Sequence, residues 1–283
     1  MYFQIVLQLY SMTHIGAIIL GFIEGATEFI PISSSGHLIV ARQLLGENIA
    51  GGLSFDAILQ LATSCALLVY FWRDILRIIK TAWLFVCRKP IEQKEKVLLY
   101  AIILGTIPAV IFGLLLEKQM DTIFRNVHLV TLTLIAGSLL FWYAQKHSQK
   151  LSARTVLAES GLTVGKGIKI GFYQCLALLP GVSRSGATIS GGLLLGLTQN
   201  EAVRFSFLLS IPVLFGSGLK KLFEVRHELF SSAYGSALLL GSVVAFVTGL
   251  IAINFLIKYL KNHNLNVFIW YRIVLAIIIL LFL

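Results

Sequence analysis

Glu24-Gly25-Ala26-Thr27-Glu28-Phe29-Ile30-Pro31-Ile32-Ser33-Ser34-Ser35-Gly36-His37 interrupts an otherwise apolar stretch at about residues 14–47. A second apolar stretch, about 166–196, is broken by Pro180-Gly181-Val182-Ser183-Arg184-Ser185-Gly186-Ala187-Thr188. Each break pairs a proline with small polar residues, a combination that stops a helix and makes a turn. Displacing the chain by 150 residues lays one on the other without a gap: Gly21-Phe22 on Gly171-Phe172, Glu24 on Gln174, Ser33 to Gly36 on Ser183 to Gly186, and Leu44-Leu45-Gly46 on Leu194-Leu195-Gly196. The two breaks are therefore equivalent elements of an internal repeat.

Working outward, six segments have the length and apolarity of a membrane span, which needs about 20 residues: roughly 54–72, 97–116, 127–144, 201–219, 234–257 and 265–283. The expected fold is an all-α integral membrane protein of six transmembrane helices plus two re-entrant helical hairpins. Non-helical backbone is tolerated at membrane depth only where protein covers it or it lines a wet cavity. Three true spans in each half is an odd number, so the halves are inverted relative to one another. Repeat 1 is set at about 14–144 and repeat 2 at about 166–283, joined by a basic cytoplasmic loop at about 145–165.

Composition agrees. Of 283 residues, 57% are hydrophobic and 13% charged, and the mean hydropathy is +0.87. Soluble domains average roughly 45–50% apolar and about a quarter charged, so a disordered chain or a water-soluble enzyme is excluded. The net charge of +10 would suggest nucleic acid in a soluble protein. Here the bases lie between apolar runs, so they read as topology signals and anionic-lipid contacts, with no nucleic-acid partner. One face takes the basic residues of 73–96, 146–169 and 258–261; the other has only Arg42, Lys118, Arg125, Lys220, Lys221 and Arg226. By the positive-inside rule the first face is cytoplasmic and the mouth of the first hairpin opens outward. Arg73, Arg77 and Lys80 beside Trp83 point to a helix lying along the inner interface. Cys65, Cys87 and Cys175 have no metal or disulfide spacing and read as small buried side chains.

Charges inside a membrane cost about 2.5–3.5 kcal/mol on insertion scales, so each is a functional candidate. Glu24 and Glu28 are four apart on one helical face and repel unless a cation or a proton intervenes. Mg²⁺ characteristically takes one or two carboxylates plus phosphate oxygens. Two solvated glutamates at a helix end is the simpler alternative, disfavoured by apolar residues on both sides. Ser33, Ser34 and Ser35 suit an N-cap, which would aim free N–H groups and a positive dipole end into the break. Serines in such a run are more often caps than nucleophiles, but His37 is close enough in sequence to serve as a base. Arg184 supplies a planar five-donor fork that suits phosphate; its alternative is a structural pair with Glu24 or Glu28. Gly181 and Gly186 allow close backbone approach, and Ser183, Ser185 and Thr188 offer hydroxyl donors. Facing one another, the two breaks fit a polyanion with a divalent cation, cleaved by in-line attack. Asp56, Gln60, Arg204 and Arg272 read as ties between helices or as partners supporting the site. A secondary transporter or lipid flippase is the rival, because inverted repeats with broken helices also build transporters.

The two quoted stretches resemble the signature motifs of undecaprenyl-pyrophosphate phosphatases, the bacitracin-resistance family, and the likeness runs over essentially the whole chain. The resemblance implies hydrolysis of the C55 isoprenoid pyrophosphate to the monophosphate carrier of cell-wall synthesis. It also implies a divalent cation, Mg²⁺ or Ca²⁺, held by Glu24 and Glu28. The setting it implies is the bacterial inner membrane, with a site opening outward and membrane lipids as partners; a homodimer is admitted. By the same resemblance Glu24 and Glu28 match the acidic motif, Ser34 the nucleophile position and His37 its neighbour. Arg184 and Thr188 match phosphate-holding positions, with Ser33, Ser35, Ser183, Ser185 and Gly186 lining the substrate. Whether Ser34, His37 or water attacks stays open.

Overall fold

The computed structural model describes residues 13–46, 52–121, 126–154, 161–224, 226 and 232–282. Among these, regular structure is entirely helical. The first interrupted element is α1 (His14–Glu28) and α2 (Ser34–Leu45). Then come α3 (Gly52–Tyr70), α4 (Trp72–Val86), α5 (Gln93–Leu115), the short α6 (Glu117–Asp121) and α7 (Val127–Arg154). The second interrupted element is α8 (Val164–Cys175), a 3₁₀ turn Leu176–Leu178 and α9 (Arg184–Leu194), followed by α10 (Gln199–Glu224), α11 (Ser232–Tyr259) and α12 (Asn266–Phe282).

The 150-residue correspondence reaches into local structure. Thr13 caps α1 by accepting from the Gly16 N–H at 2.9 Å, and Thr163 caps α8 by accepting from Lys166 N–H at 3.2 Å. Ser33 and Ser183 cap α2 and α9, each accepting from the N–H three residues on at 3.3 Å. Both serines hold positive φ, 76° and 74°. Of the described non-glycine residues only Arg88 shares that property. Such backbone costs about 1–3 kcal/mol and persists only where surroundings enforce it. Each break is thus a forced reversal that turns the next helix's N-terminus into the interior.

Packing exchanges elements between the halves: α1 packs against α11, and α8 packs against α5. In both contacts glycine faces glycine. A Cβ on Gly21 would fall 2.2 Å from the Gly241 carbonyl oxygen, and one on Gly171 would fall 2.1 Å from that of Gly105. Within lipid there is no hydrophobic drive between helices, so close backbone approach through small residues supplies the packing energy. Phe29, fully buried directly after α1, lies edge-on to Phe207 of α10 at 5.7 Å, and Phe207 meets Phe71 at 6.0 Å. This aromatic cluster fixes the end of α1 and with it Glu28.

The helices α5, α7 (to Lys150), α10 and α11 (from Gly235) are long and apolar enough to cross a membrane; Ser54–Tyr70 joins them as a bent pair with α4. The sixth expected span, α12, has 17 residues, about 25 Å at 1.5 Å per residue. Its partner α7 supports it through side-chain bonds described below. Two expectations change. The connector set at 145–165 starts later, because α7 continues to Arg154; hydropathy marks where a span leaves the bilayer, not where a helix ends. Arg42, assigned to the outer face, is buried and pairs with Asp56 at 2.6 Å, its guanidinium 5.4 Å from the Phe55 ring. Arg125 lies outside the described residues. The bend of 84° between Ser54–Tyr70 and Trp72–Val86 sets α4 across the direction of α3.

Candidate active site

The two breaks meet. The Gly181 N–H, at φ +98°, donates to Ser33 Oγ at 3.1 Å, so the second break rests on the cap of the first. Glu28 ends α1 and is nearly fully buried. Its Oε1 accepts from Arg184 Nη2 at 2.9 Å, across 156 positions of sequence. Its Oε2 accepts a very short hydrogen bond from Ser34 Oγ, the first residue of α2. One carboxylate therefore gathers the hydroxyl of one half and the guanidinium of the other.

Glu24 lies one turn earlier and is fully buried, and neither of its carboxylate oxygens has a hydrogen-bond partner. Its charged surroundings are Glu28, Asp56 and Arg184. Buried unpaired carboxylates cost several kcal/mol, so a cation or a proton belongs there. Arg184 is also incompletely used: Nε and Nη1 are buried without partners. Unsatisfied acceptors on Glu24 thus lie near unsatisfied donors on Arg184. Among the described residues no three or more His, Cys, Asp or Glu cluster as ligands. A hard cation would thus have Glu24 and Glu28 from the protein, a donor set that fits Mg²⁺ or Ca²⁺ when phosphate oxygens and water complete it.

Other expected residues are placed differently. His37 Nδ1 bonds the Ser33 carbonyl at 2.7 Å and Nε2 bonds Tyr271 Oη at 2.8 Å. A carbonyl only accepts, so Nδ1 carries the proton and, in the neutral ring, Nε2 accepts from the tyrosine. Both nitrogens are committed, and neither touches a serine hydroxyl. Thr188 is fully buried and bonds Ser206 Oγ at 2.6 Å and the Arg184 carbonyl at 2.8 Å, which supports the first turn of α9 from behind. Ser185 pairs with Ser183 at 3.2 Å, and Ser35 with Ser33 at 3.4 Å. Gly186 packs on Phe141, where a Cβ would fall 1.5 Å from the ring, so its smallness serves packing.

Arg272 emerges as the support of the second break. Fully buried on α12, it donates from Nε to Ser138 Oγ at 3.0 Å and from Nη2 to the carbonyls of Leu134 at 3.0 Å and Gly181 at 2.9 Å. Its guanidinium stands 4.7 Å over the Phe141 ring. Thr133 Oγ1 donates to the neighbouring Pro180 carbonyl. An arginine within an apolar run was a visible signal; Tyr271, Thr133 and Ser138 carried none. Gln174, the counterpart of Glu24, is buried with both amide atoms unpartnered.

These features define a class: an all-α multi-pass membrane protein whose two interrupted helix pairs join an acidic and a basic half in one buried site. The family model described as Bacitracin resistance protein BacA matches residues 17–278, and the chain belongs to that family. It is 43% identical over 273 residues to a protein of Chloroherpeton thalassium named Undecaprenyl-diphosphatase, covering 95% of this chain and 96% of that one. Proteins of the same name from Renibacterium salmoninarum and Mycolicibacterium smegmatis are 40% and 42% identical over 275 and 272 residues. Each alignment covers 95% of this chain and, respectively, 95% and 96% of the relative.

Proposed function

We propose that the chain hydrolyses undecaprenyl pyrophosphate to undecaprenyl phosphate and inorganic phosphate, regenerating a lipid carrier for cell-wall synthesis in the bacterial inner membrane. The observation that carries this is the Glu28–Arg184 contact with its unused donors, set beside the unpartnered Glu24. The relatives' name and the family membership support it. A transporter is not favoured, since each of those relatives is named for an enzyme.

In this mechanism the diphosphate enters between the two breaks from the outer face while the prenyl tail stays in lipid. Arg184 turns its free Nε and Nη1 to the terminal phosphate, and the first-turn N–H groups of α2 and α9 face the same anion. Glu28 Oε2 is placed to take the proton of Ser34 Oγ as that oxygen bonds the terminal phosphorus, or to hold a water that does so. The anhydride P–O bond breaks and the lipid monophosphate leaves with the bonding electrons. Water then releases inorganic phosphate from any phosphoserine and returns the proton. A divalent cation on Glu24 and Glu28, when bound, would neutralise charge on the phosphate oxygens. His37 contributes by locking the Ser33 reversal through its Nδ1–H. The test is phosphate release from undecaprenyl pyrophosphate by purified protein in detergent, where no second compartment exists for transport. Release abolished by chelator is expected; a folded protein that releases none overturns the reading.

A further inference from the structure

We propose that the junction of α4 and α5 is a binding site for an anionic phospholipid, with the headgroup in a basic cavity and the acyl chains along α4. The cavity, about 570 Å³, is lined by Phe85, Val86, Arg88, Lys89, Ile91, Gln93 and Lys96, and it shares no residue with the Glu28–Arg184 site. Three cations and an apolar wall face it. The nearest carboxylates in sequence, Glu92 and Glu95, do not line it. Among the described residues no acidic group pairs with Arg88, Lys89 or Lys96; Lys96 stands only over the Tyr100 ring, at 6.0 Å. Phe85 packs edge-on to the same ring at 5.8 Å and so fixes the wall. Arg88 takes φ +53° where the chain leaves α4, with its N–H bonded to the Phe85 carbonyl at 3.1 Å, which holds the turn that carries Arg88 and Lys89.

A phosphate dianion alone would explain the cavity but not the helix that leads to it. Trp72, Leu76, Ile79, Trp83 and Val86 recur every three or four residues, and all are more than half exposed. They form one apolar stripe that runs along α4 to the cavity. Arg73, Arg77 and Lys80 flank the stripe, each one position on from an apolar residue. An apolar stripe bordered by cations is the signature of a helix seated at the acyl–headgroup boundary of an anionic membrane. Asp74 pins the helix to the body through Arg204 of α10, leaving the stripe outward. Val86 ends the apolar stripe and also lines the cavity, so the occupant is a lipid carrying phosphate, not a free anion.

The experiment uses full-length protein in detergent with equimolar phosphatidylglycerol and phosphatidylcholine of matched chains, counting retained lipids by native mass spectrometry. Wild type should retain phosphatidylglycerol about tenfold over phosphatidylcholine, while Arg88→Gln/Lys89→Gln/Lys96→Gln should fall to near parity. Lys258→Gln/Lys261→Gln, which removes two exposed bases elsewhere, should keep the wild-type preference. Trp83→Ala should lower retention of both lipids, and millimolar inorganic phosphate should displace neither. Phosphate release should be unchanged in the triple variant. An undiminished preference in the triple variant, displacement by inorganic phosphate, or full retention in Trp83→Ala overturns the proposal. So does a changed subunit number in the triple variant, which would make this face a contact between copies.

Discussion

Glu28 Oε1 accepts from Arg184 Nη2 at 2.9 Å, and the same carboxylate takes the Ser34 hydroxyl on its other oxygen. A residue at the end of α1 thereby reads both the start of α2 and the start of α9. The bidentate fork is not yet spent on Glu28, since two of its nitrogens remain without partners. Those two nitrogens are buried beside the unpartnered Glu24 carboxylate, and that is the capacity the proposed mechanism uses.

Arg184→Lys keeps the charge and loses the fork. Turnover should drop roughly 100-fold or more while the variant folds, because an ammonium can hold Glu28 or the phosphate but not both in the same geometry. A lysine variant with wild-type kcat and KM would remove Arg184 from the chemistry.

Glu24→Gln separates charge from shape. The second half already carries a buried, unpartnered amide at the equivalent position, Gln174, so the fold tolerates one there. In chelator the variant should melt at or above the wild-type temperature, because an uncompensated buried carboxylate has gone. Its cation-dependent phosphate release should fall by about two orders of magnitude or more. Melting well below wild type in chelator would show that Glu24 is a structural partner instead.

Much of this site is legible in the sequence, and the part that is not has a physical cause. Glu24, Glu28 and Arg184 stand out because ionisable groups in apolar runs are costly, and the repeat says that the two breaks are equivalent. The role of His37 is not legible: one residue, Ser33, adopts positive φ, and that reversal turns the imidazole to the Ser33 carbonyl and Tyr271 and away from Ser34. Backbone reversals at a serine leave no compositional trace. For Thr188 and Gly186 the motif gives the letters but not their contacts behind α9, a bond to Ser206 and the Phe141 ring. The exchanged pairing of α1 with α11 and α8 with α5 depends on glycines 66 to 220 positions apart in sequence, which periodicity cannot pair.

Removing Arg272 should unfold the second break. Three of its nitrogen-borne bonds end on Ser138, Leu134 and Gly181. Arg272→Met leaves the Gly181 carbonyl without this donor, while the Leu134 carbonyl keeps the Ser138 hydroxyl at 2.7 Å, so the cost is about 1–3 kcal/mol. Thermal unfolding in detergent checks this; a melting temperature equal to wild type would contradict the tie.

Glycine contacts give a paired prediction. Gly21→Ala places a methyl 2.2 Å from the Gly241 carbonyl oxygen and should destabilise strongly by prising α1 from α11. Gly216→Ala, on α10 with nothing within 4 Å, should instead gain about 0.5–1 kcal/mol from reduced unfolded-state entropy. Equal melting temperatures for the two variants would show that α1 and α11 do not approach through these glycines.

Acid should loosen α6 from α10. Glu117 bonds Lys220 at 2.6 Å and Lys221 at 3.2 Å, and the Lys220 bond foremost holds its carboxyl below the ordinary 4.5. A depressed carboxylate stabilises above its unfolded value and loses that contribution as pH falls through its folded value. With these side chains about a third exposed or more, apart from Lys221, solvent screening limits the gain to under about 1 kcal/mol. Melting of wild type against Glu117→Gln should differ slightly at pH 7 and converge as the pH falls through the lowered value of the folded carboxyl. A difference that widens on acidification would contradict the ion pair.

The most direct measurement is a double-mutant cycle on phosphate release from undecaprenyl pyrophosphate, with Glu28→Gln, Arg184→Gln and the two combined, each confirmed folded by its melting curve. Groups acting as one unit give strongly non-additive losses, so the double variant should be about as slow as the slower single variant. Losses that multiply, or a single variant that turns over like wild type, would mean that the carboxylate and the guanidinium work apart.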